Sequence, residues 1–145
     1  MKSLEVLIVE DSAGDALLIS QVVEEYPAPI RIHIACDGEE AMTMLTSHLF
    51  EPDLIILDLN LPKFSGDDVL ARYQPKKAPI VVFTSYRSAT SERLALELGA
   101  SEVMAKPHNL SEYVRAVRQM LRRWLPQYKG KRRSVRPDAG MRAAS

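Results

Sequence analysis

The sequence predicts an α/β fold, an open doubly wound sheet of five parallel strands with five helices. Three observations carry that expectation. Apolar runs rich in Val, Ile and Leu recur at about residues 4–9, 30–35, 53–58, 79–84 and 102–106. Four of them are near-continuous rather than alternating, as expected of parallel strands covered on both faces. The segments between them carry helical periodicity, so strand and helix alternate five times.

The first run, Leu4-Glu5-Val6-Leu7-Ile8-Val9, ends in Glu10-Asp11. Ser12 and Asp15 then stand at capping-box-like spacing, opening a helix to Tyr26 with Leu17, Leu18, Val22 and Val23 on one face. Ile30 to Ala35 alternates cleanly and suits a sheet edge. Gly38 to Phe50 repeats Ala41, Met42, Leu45 and Leu49 at helical spacing. The third run, Asp53 to Asp58, is followed by Leu59-Asn60-Leu61-Pro62 and a short helix from Gly66 to Tyr73, stopped by Pro75. The fourth run ends in Thr84-Ser85. The helix after it, Ser88 to Leu98, carries Leu94, Leu96 and Leu98 and meets Gly99, a C-terminal stop. The fifth run ends in Lys106, and the last helix, Leu110 to Trp124, places Val114, Val117, Leu121 and Trp124 in register before Pro126.

With 145 residues, 46% of them hydrophobic, the chain suits one domain with a full core. No apolar run approaches the roughly 20 residues that span a bilayer, and Met1-Lys2-Ser3-Leu4 leads into a strand without a signal pattern. The lone Cys36 reads as a buried structural thiol in a reducing, cytoplasmic setting. Net charge is zero but unevenly placed. Residues 1–128 hold 13 basic and 18 acidic side chains; residues 129–145 hold six basic ones against Asp138. That tail is poor in large apolar residues and is expected to be disordered. The reading is an acidic domain, 1–128, with a basic extension, 129–145.

In a doubly wound sheet ligands bind at the carboxyl ends of the strands. Every polar residue of chemical interest falls there: Glu10, Asp11, Asp58, Thr84, Ser85 and Lys106. Carboxylates closing two neighbouring strands repel one another unless a cation joins them, and hard Mg²⁺ suits oxygen donors. Asp11 and Asp58 would bind it directly, Glu10 directly or through water, with the Asn60 carbonyl as a further donor. One oxygen of Asp58 remains as a nucleophile. Lys106, Thr84 and backbone N–H groups would share the charge of an incoming phosphoryl group. Asp15 reads as a helix-capping and dipole residue rather than a site residue. His33, His48 and His108 read as surface or loop side chains, and Pro62 and Gly66 serve loop shape as readily as chemistry.

Taken in order and spacing, Glu10-Asp11, Asp58-Leu59-Asn60-Leu61-Pro62 with Gly66, Thr84-Ser85 and Lys106-Pro107 resemble the CheY-like receiver domain of two-component response regulators, over about residues 4–125. Val9-Glu10-Asp11-Ser12 and the run after Asp58 look most like the stand-alone regulators of phytochrome-type histidine kinases. The resemblance implies a flavodoxin-like strand order, 2-1-3-4-5, and phosphoryl transfer from a sensor histidine kinase to Asp58 with Mg²⁺ held by Glu10, Asp11, Asp58 and Asn60. Lys106 would contact the phosphoryl group, the Thr84 hydroxyl would swing towards it, and the backbone N–H groups of Leu59 and Ser85 would donate to it. Phosphorylation would shift the surface of the fourth helix, fifth strand and fifth helix and so change the downstream protein bound. The protein would not be an enzyme beyond its own phosphoryl transfer and dephosphorylation. A cis Lys106–Pro107 bond is also implied.

Two departures stand out. The family often has an aromatic switch three residues before the Lys, where this chain has Val103, and after Lys106-Pro107 it has His108 instead of an apolar residue. Tyr86 occupies a position that tunes dephosphorylation in the family. Arg115, Arg118, Arg122, Arg123 and the tail read as a solvated basic end, the alternative being a patch for an acidic partner or nucleic acid. Nothing after residue 125 is long enough for a helix-turn-helix, and no effector domain follows, so output would run through a partner. The stripe ending in Trp124 and Tyr128 offers a homodimer surface if exposed. Rival readings are a degenerate receiver acting as a scaffold and a flavin-binding module of the same topology.

Overall fold

The computed structural model describes residues 3–125. Strands β1 (Leu4–Val9), β2 (Ile30–Ala35), β3 (Leu54–Leu57), β4 (Ile80–Thr84) and β5 (Glu102–Ala105) alternate with helices α1 (Ala13–Glu24), α2 (Gly38–Leu45), α3 (Gly66–Arg72), α4 (Ala89–Glu97) and α5 (Leu110–Trp124). All strand pairs are parallel, in the order β2-β1-β3-β4-β5, the doubly wound arrangement the sequence predicts. The expected basic extension at 129–145 lies outside the described residues, as does Tyr128.

Period-2 alternation divides each central strand between two cores. Leu4, Val6 and Ile8 of β1 pack with Ile19, Val22 and Val23 of α1 and with Val117, Met120 and Leu121 of α5. Leu7 and Val9 face the other way, onto Ala41, Val69, Leu70 and Ala95 of α2, α3 and α4. Burial on both faces is what makes these strands read as continuous apolar runs. At the edge, β2 is only partly covered, in keeping with its alternation.

Local chemistry sets the helix ends. Ser12, Asp37, Ser65, Ser88 and Asn109 each accept a backbone N–H of the first turn, and at Ser65 and Ser88 the bond is reciprocated by Asp68 and Ser91. The helix expected from Gly38 to Phe50 stops at Leu45, because the Thr46 hydroxyl donates to the carbonyls of Met42 (2.9 Å) and Thr43 (3.3 Å) and satisfies the last turn. Leu49 is consequently exposed. α4 ends at a left-handed Gly99 (φ 113°), beneath which the Lys76 side chain passes to donate to Leu70 O (2.6 Å) and Tyr73 O (2.9 Å).

Further sequence expectations are corrected. Leu17 is exposed, whereas Leu18, Val22 and Val23 face the core as expected and are joined there by Ala16 and Ile19. Leu94 and Leu96 are partly exposed, and Ala95 is the buried residue of α4. Cys36 is exposed, not buried: coverage of the edge strand ends at Ala35, and Cys36 begins the turn, its N–H bonded to Glu40 Oε1 at 2.8 Å. Among the described residues the cis peptide bond is Gln74–Pro75, and Lys106–Pro107 is trans; an X-Pro bond admits either isomer. The apolar stripe of α5 is turned inward, with Trp124 half-buried and its Nε1 donating to Glu102 of β5 at 2.8 Å.

Candidate functional site

The sheet carries its ladder one residue past three strand ends, and that extension builds the site. Asp58 N–H donates to Val9 O (3.0 Å), Glu10 N–H to Ala35 O (3.0 Å) and Lys106 N–H to Thr84 O (2.8 Å). The backbone thereby fixes Glu10, Asp58 and Lys106 along the carboxyl edge. All three are at most 8% exposed, and Thr84 is fully buried. Behind Asp58 the chain turns so tightly that a Cβ on Gly66 would meet Asp58 O and Leu59 Cα, each at 2.6 Å. Gly66 is thus required by backbone contact with the acidic residue itself.

Lys106 Nζ lies 2.7 Å from Glu10 Oε1, 3.3 Å from Asp15 Oδ2 and 3.5 Å from Asp58 Oδ2. Asp11 is exposed at the mouth, and Glu10, Asp11 and Asp58 each offer an oxygen within 4.8 Å of the others. One ammonium therefore serves three carboxylates, with a fourth, Asp11, beside them. Burial pushes the Glu10 carboxyl up to about 7; its bond from Lys106 opposes this, and the Asp58 charge adds to it. Burial alone would depress the Lys106 ammonium, but the surrounding carboxylates outweigh it and hold the pKa above the ordinary lysine value. An acid kept partly protonated beside an overcommitted lysine is a site short of positive charge. Three clustered oxygen donors with an open, wet side through Asp11 and Asn60 fit a hard divalent cation, which prefers oxygen and keeps several waters. Asn60, two residues past Asp58, donates its N–H to Asp58 Oδ1 at 3.3 Å.

The structure places the remaining candidates around this cluster. Thr84 lies beside Lys106 on the edge, but its hydroxyl turns away, donating to Tyr86 O at 3.4 Å. Ser85 and Tyr86 are exposed, leaving the mouth accessible on that side, and Leu59 is buried. Val103 is buried in the core beneath α2, α3 and α4, without an aromatic ring at that position. His33 bonds Glu5 (2.6 Å), its ring tilted at 55° to that of Phe50, away from the acidic edge; His48 and His108 are exposed.

Two residues escaped the sequence reading. Asp15 does not close a capping box, since the Ser12 N–H goes to Glu10 Oε2; its carboxylate instead reaches Lys106 and accepts the Tyr113 hydroxyl at 2.6 Å. Burial would raise its carboxyl, but the Tyr113 bond and the Lys106 charge hold it below the usual aspartate value. Tyr113 is buried on α5, its ring edge-on to Phe83 at 5.1 Å. The two lie 98 positions apart. The available signal was a tyrosine on the buried stripe of α5, since a buried hydroxyl needs a partner.

Comparison with known proteins agrees with this geometry. The family model for the response regulator receiver domain matches residues 6–118. The transcriptional regulatory protein CpxR of Escherichia coli K12 is 33% identical over 120 residues, which cover 82% of this chain and 50% of CpxR. The chain thus spans about half the length of that relative. Response regulator Rcp1 of Synechocystis is 32% identical over 129 residues, covering 83% of this chain and 88% of Rcp1. Among solved structures, the Mn²⁺-bound form of Rcp1 superposes with a TM-score of 0.77 at 30% identity, over 84% of this chain and 94% of that one. The phosphorylated cyanobacterial phytochrome response regulator RcpA gives 0.80 at 29% identity, over 86% and 95%.

Proposed function

This chain belongs to the response regulator receiver domain family, and from that premise we propose that it accepts a phosphoryl group on Asp58 from a sensor histidine kinase and signals by changing the protein it binds. The observation that carries the reading is the buried set of Glu10, Asp58 and Lys106 on one sheet edge, with Asp11 at its mouth. A carboxylate oxygen of Asp58 attacks phosphorus, a P–O bond forms, and the P–N bond to the donor histidine breaks as the imidazole leaves with the electron pair. Lys106 exchanges part of its carboxylate contact for the phosphoryl oxygens. The Thr84 hydroxyl leaves Tyr86 O to donate to the same group, and the N–H groups of Leu59 and Ser85 take up remaining charge. Bound at Glu10, Asp11, Asp58 and the Asn60 carbonyl, Mg²⁺ would supply the positive charge that lets Asp58 approach a phosphate dianion.

The likeness to Rcp1 and RcpA supports a phytochrome-type kinase as the donor. The receiver unit is read as residues 1–128. Incubation of the protein with Mg²⁺ and acetyl phosphate, followed by intact mass measurement, tests the reading. A gain of about 80 Da, the mass of one phosphoryl group, is expected in the native chain and absent from Asp58→Asn. No gain in the native chain would instead leave a scaffold that uses the fold without its chemistry.

A further inference from the structure

The chemistry above uses Glu10, Asp11, Asp58, Thr84 and Lys106 and leaves Asp15 without a task. Yet Asp15 is bonded on both oxygens. One is 3.3 Å from Lys106 Nζ, and the other accepts the Tyr113 hydroxyl at 2.6 Å. Tyr113 in turn sets its ring edge-on against Phe83, the residue preceding Thr84. One side chain of α5 therefore touches both sides of the site: Lys106 through Asp15, and the Thr84 strand through Phe83.

We propose that Tyr113 and Asp15 are positioning residues for phosphoryl transfer to Asp58, Tyr113 orienting Asp15 and Asp15 anchoring Lys106; the inference rests on the reading of Asp58 as acceptor. A lysine ammonium has three donors on a flexible four-carbon stem. Of its three carboxylate neighbours, Glu10 and Asp58 are the two that change partners when a cation and a phosphoryl group arrive. Asp15 lies outside that set and can hold the ammonium over the site throughout. A carboxylate with one oxygen on a buried hydroxyl has its orientation set by that hydroxyl, so Tyr113 decides where the anchor points. The link also runs backwards. As Lys106 turns to the phosphoryl group, the charge on Asp15 is redistributed, and its bond to Tyr113 changes on the inner face of α5. This places a sensor of the Asp58 state on α5, in a chain whose Val103 on β5 supplies no ring.

A purely structural role predicts otherwise: the Tyr113 hydroxyl would be satisfied by Asp15 and nothing at Asp58 would depend on it. The full chain with Mg²⁺ and acetyl phosphate separates the two. Tyr113→Phe keeps the ring against Phe83, and at saturating acetyl phosphate its phosphorylation rate is expected to fall about threefold to tenfold, the scale of one buried hydrogen bond, with KM unchanged. Asp15→Asn should lose at least as much, and the double variant no more than the worse single one, since both act through one link. In ¹³C-tyrosine-labelled protein the Tyr113 ring signal should shift when beryllofluoride occupies Asp58. An undiminished rate in Tyr113→Phe, multiplicative losses in the double variant, or an unmoved Tyr113 signal would each overturn the proposal while the native chain still takes phosphate. A native chain that takes none would overturn the Asp58 reading and this inference together. Should Tyr113→Phe not fold, Asp15→Asn, at a partly exposed position, carries the same rate test.

Discussion

The two ends of the sheet carry similar side chains in opposite electrostatic condition. At the amino end, Glu5 meets His33 at 2.6 Å and Arg31 at 3.7 Å, and Asp53 accepts the Glu5 N–H at 2.8 Å. A cavity of about 570 Å³ opens there, lined by Glu5, His48, Phe50, Asp53, Tyr73 and Lys77 among others. At the carboxyl end, Glu10, Asp15 and Asp58 crowd one lysine, with Asp11 beside them. A hollow thus opens at the end where Glu5 and Asp53 are each partnered. The proposed chemistry is at the end where charge is left over. On that reading the site is marked by unbalanced charge held by backbone rather than by empty volume.

The severest way to break that comparison is to remove the shared cation. Lys106→Met leaves buried carboxylates uncompensated, and urea unfolding at pH 8 without metal should show a loss of about 3–5 kcal/mol. Phosphate uptake should fall at least about a hundredfold, as for loss of a main charge stabiliser. Arg31→Met at the other end should cost about 0–1 kcal/mol, as for an exposed pair, with uptake intact. Equal costs at both ends would erase the distinction.

Metal and pH give the next largest effect. Folded Glu10 holds its proton to about pH 7, whereas unfolded Glu10 releases it near 4.5. Protonation therefore favours the folded chain: this contribution is complete below about pH 4.5 and is lost as pH rises to 7. In metal-free buffer the melting temperature should decline across that window, and Glu10→Gln should flatten the decline while Glu5→Gln leaves it. Mg²⁺ at a hundred times its dissociation constant should add about 2.7 kcal/mol at pH 8 and less at pH 5, where protons compete for Glu10. A Mg²⁺ gain that persists in Glu10→Gln/Asp58→Asn would place the ion elsewhere.

A smaller effect sharpens the role of backbone. Gly66→Ala puts a methyl group against Asp58 O and Leu59 Cα, and overpacking of this kind costs about 1–3 kcal/mol. Because it displaces the acceptor's own loop, uptake should slow as well, measurable by the same mass assay. Glu5→Gln should have the least consequence, within about 0.5 kcal/mol and without effect on uptake.

Much of the fold was legible because strand burial and strand ends obey short-range rules. A parallel strand covered on both faces reads as a continuous run, and the residue that follows it falls on the binding edge by topology. Glu10, Asp58, Thr84 and Lys106 could be placed on that edge without coordinates. Asp15 and Tyr113 could not, since their bond joins the first turn of α1 to the inner face of α5, and neither period encodes which side chains meet across two helices. Cys36 misled because an apolar neighbour, Ala35, marks the end of cover as readily as its continuation. Leu17 misled because an apolar residue at the rim of a helix face reads the same as one within it, and Leu49 because a threonine stops its helix early.

Lys76 has a mechanical consequence. Its side chain runs beneath the left-handed Gly99 to the carboxyl end of α3, pinning the turn that closes α4. The opposite end of α4 follows Ser85, Tyr86 and Arg87, all exposed. That end is held by its own cap, Ser88 with Ser91, and by Arg87 on Glu92 rather than by another element. A displacement of the Thr84 loop is therefore expected to move Ala89 more than Leu98.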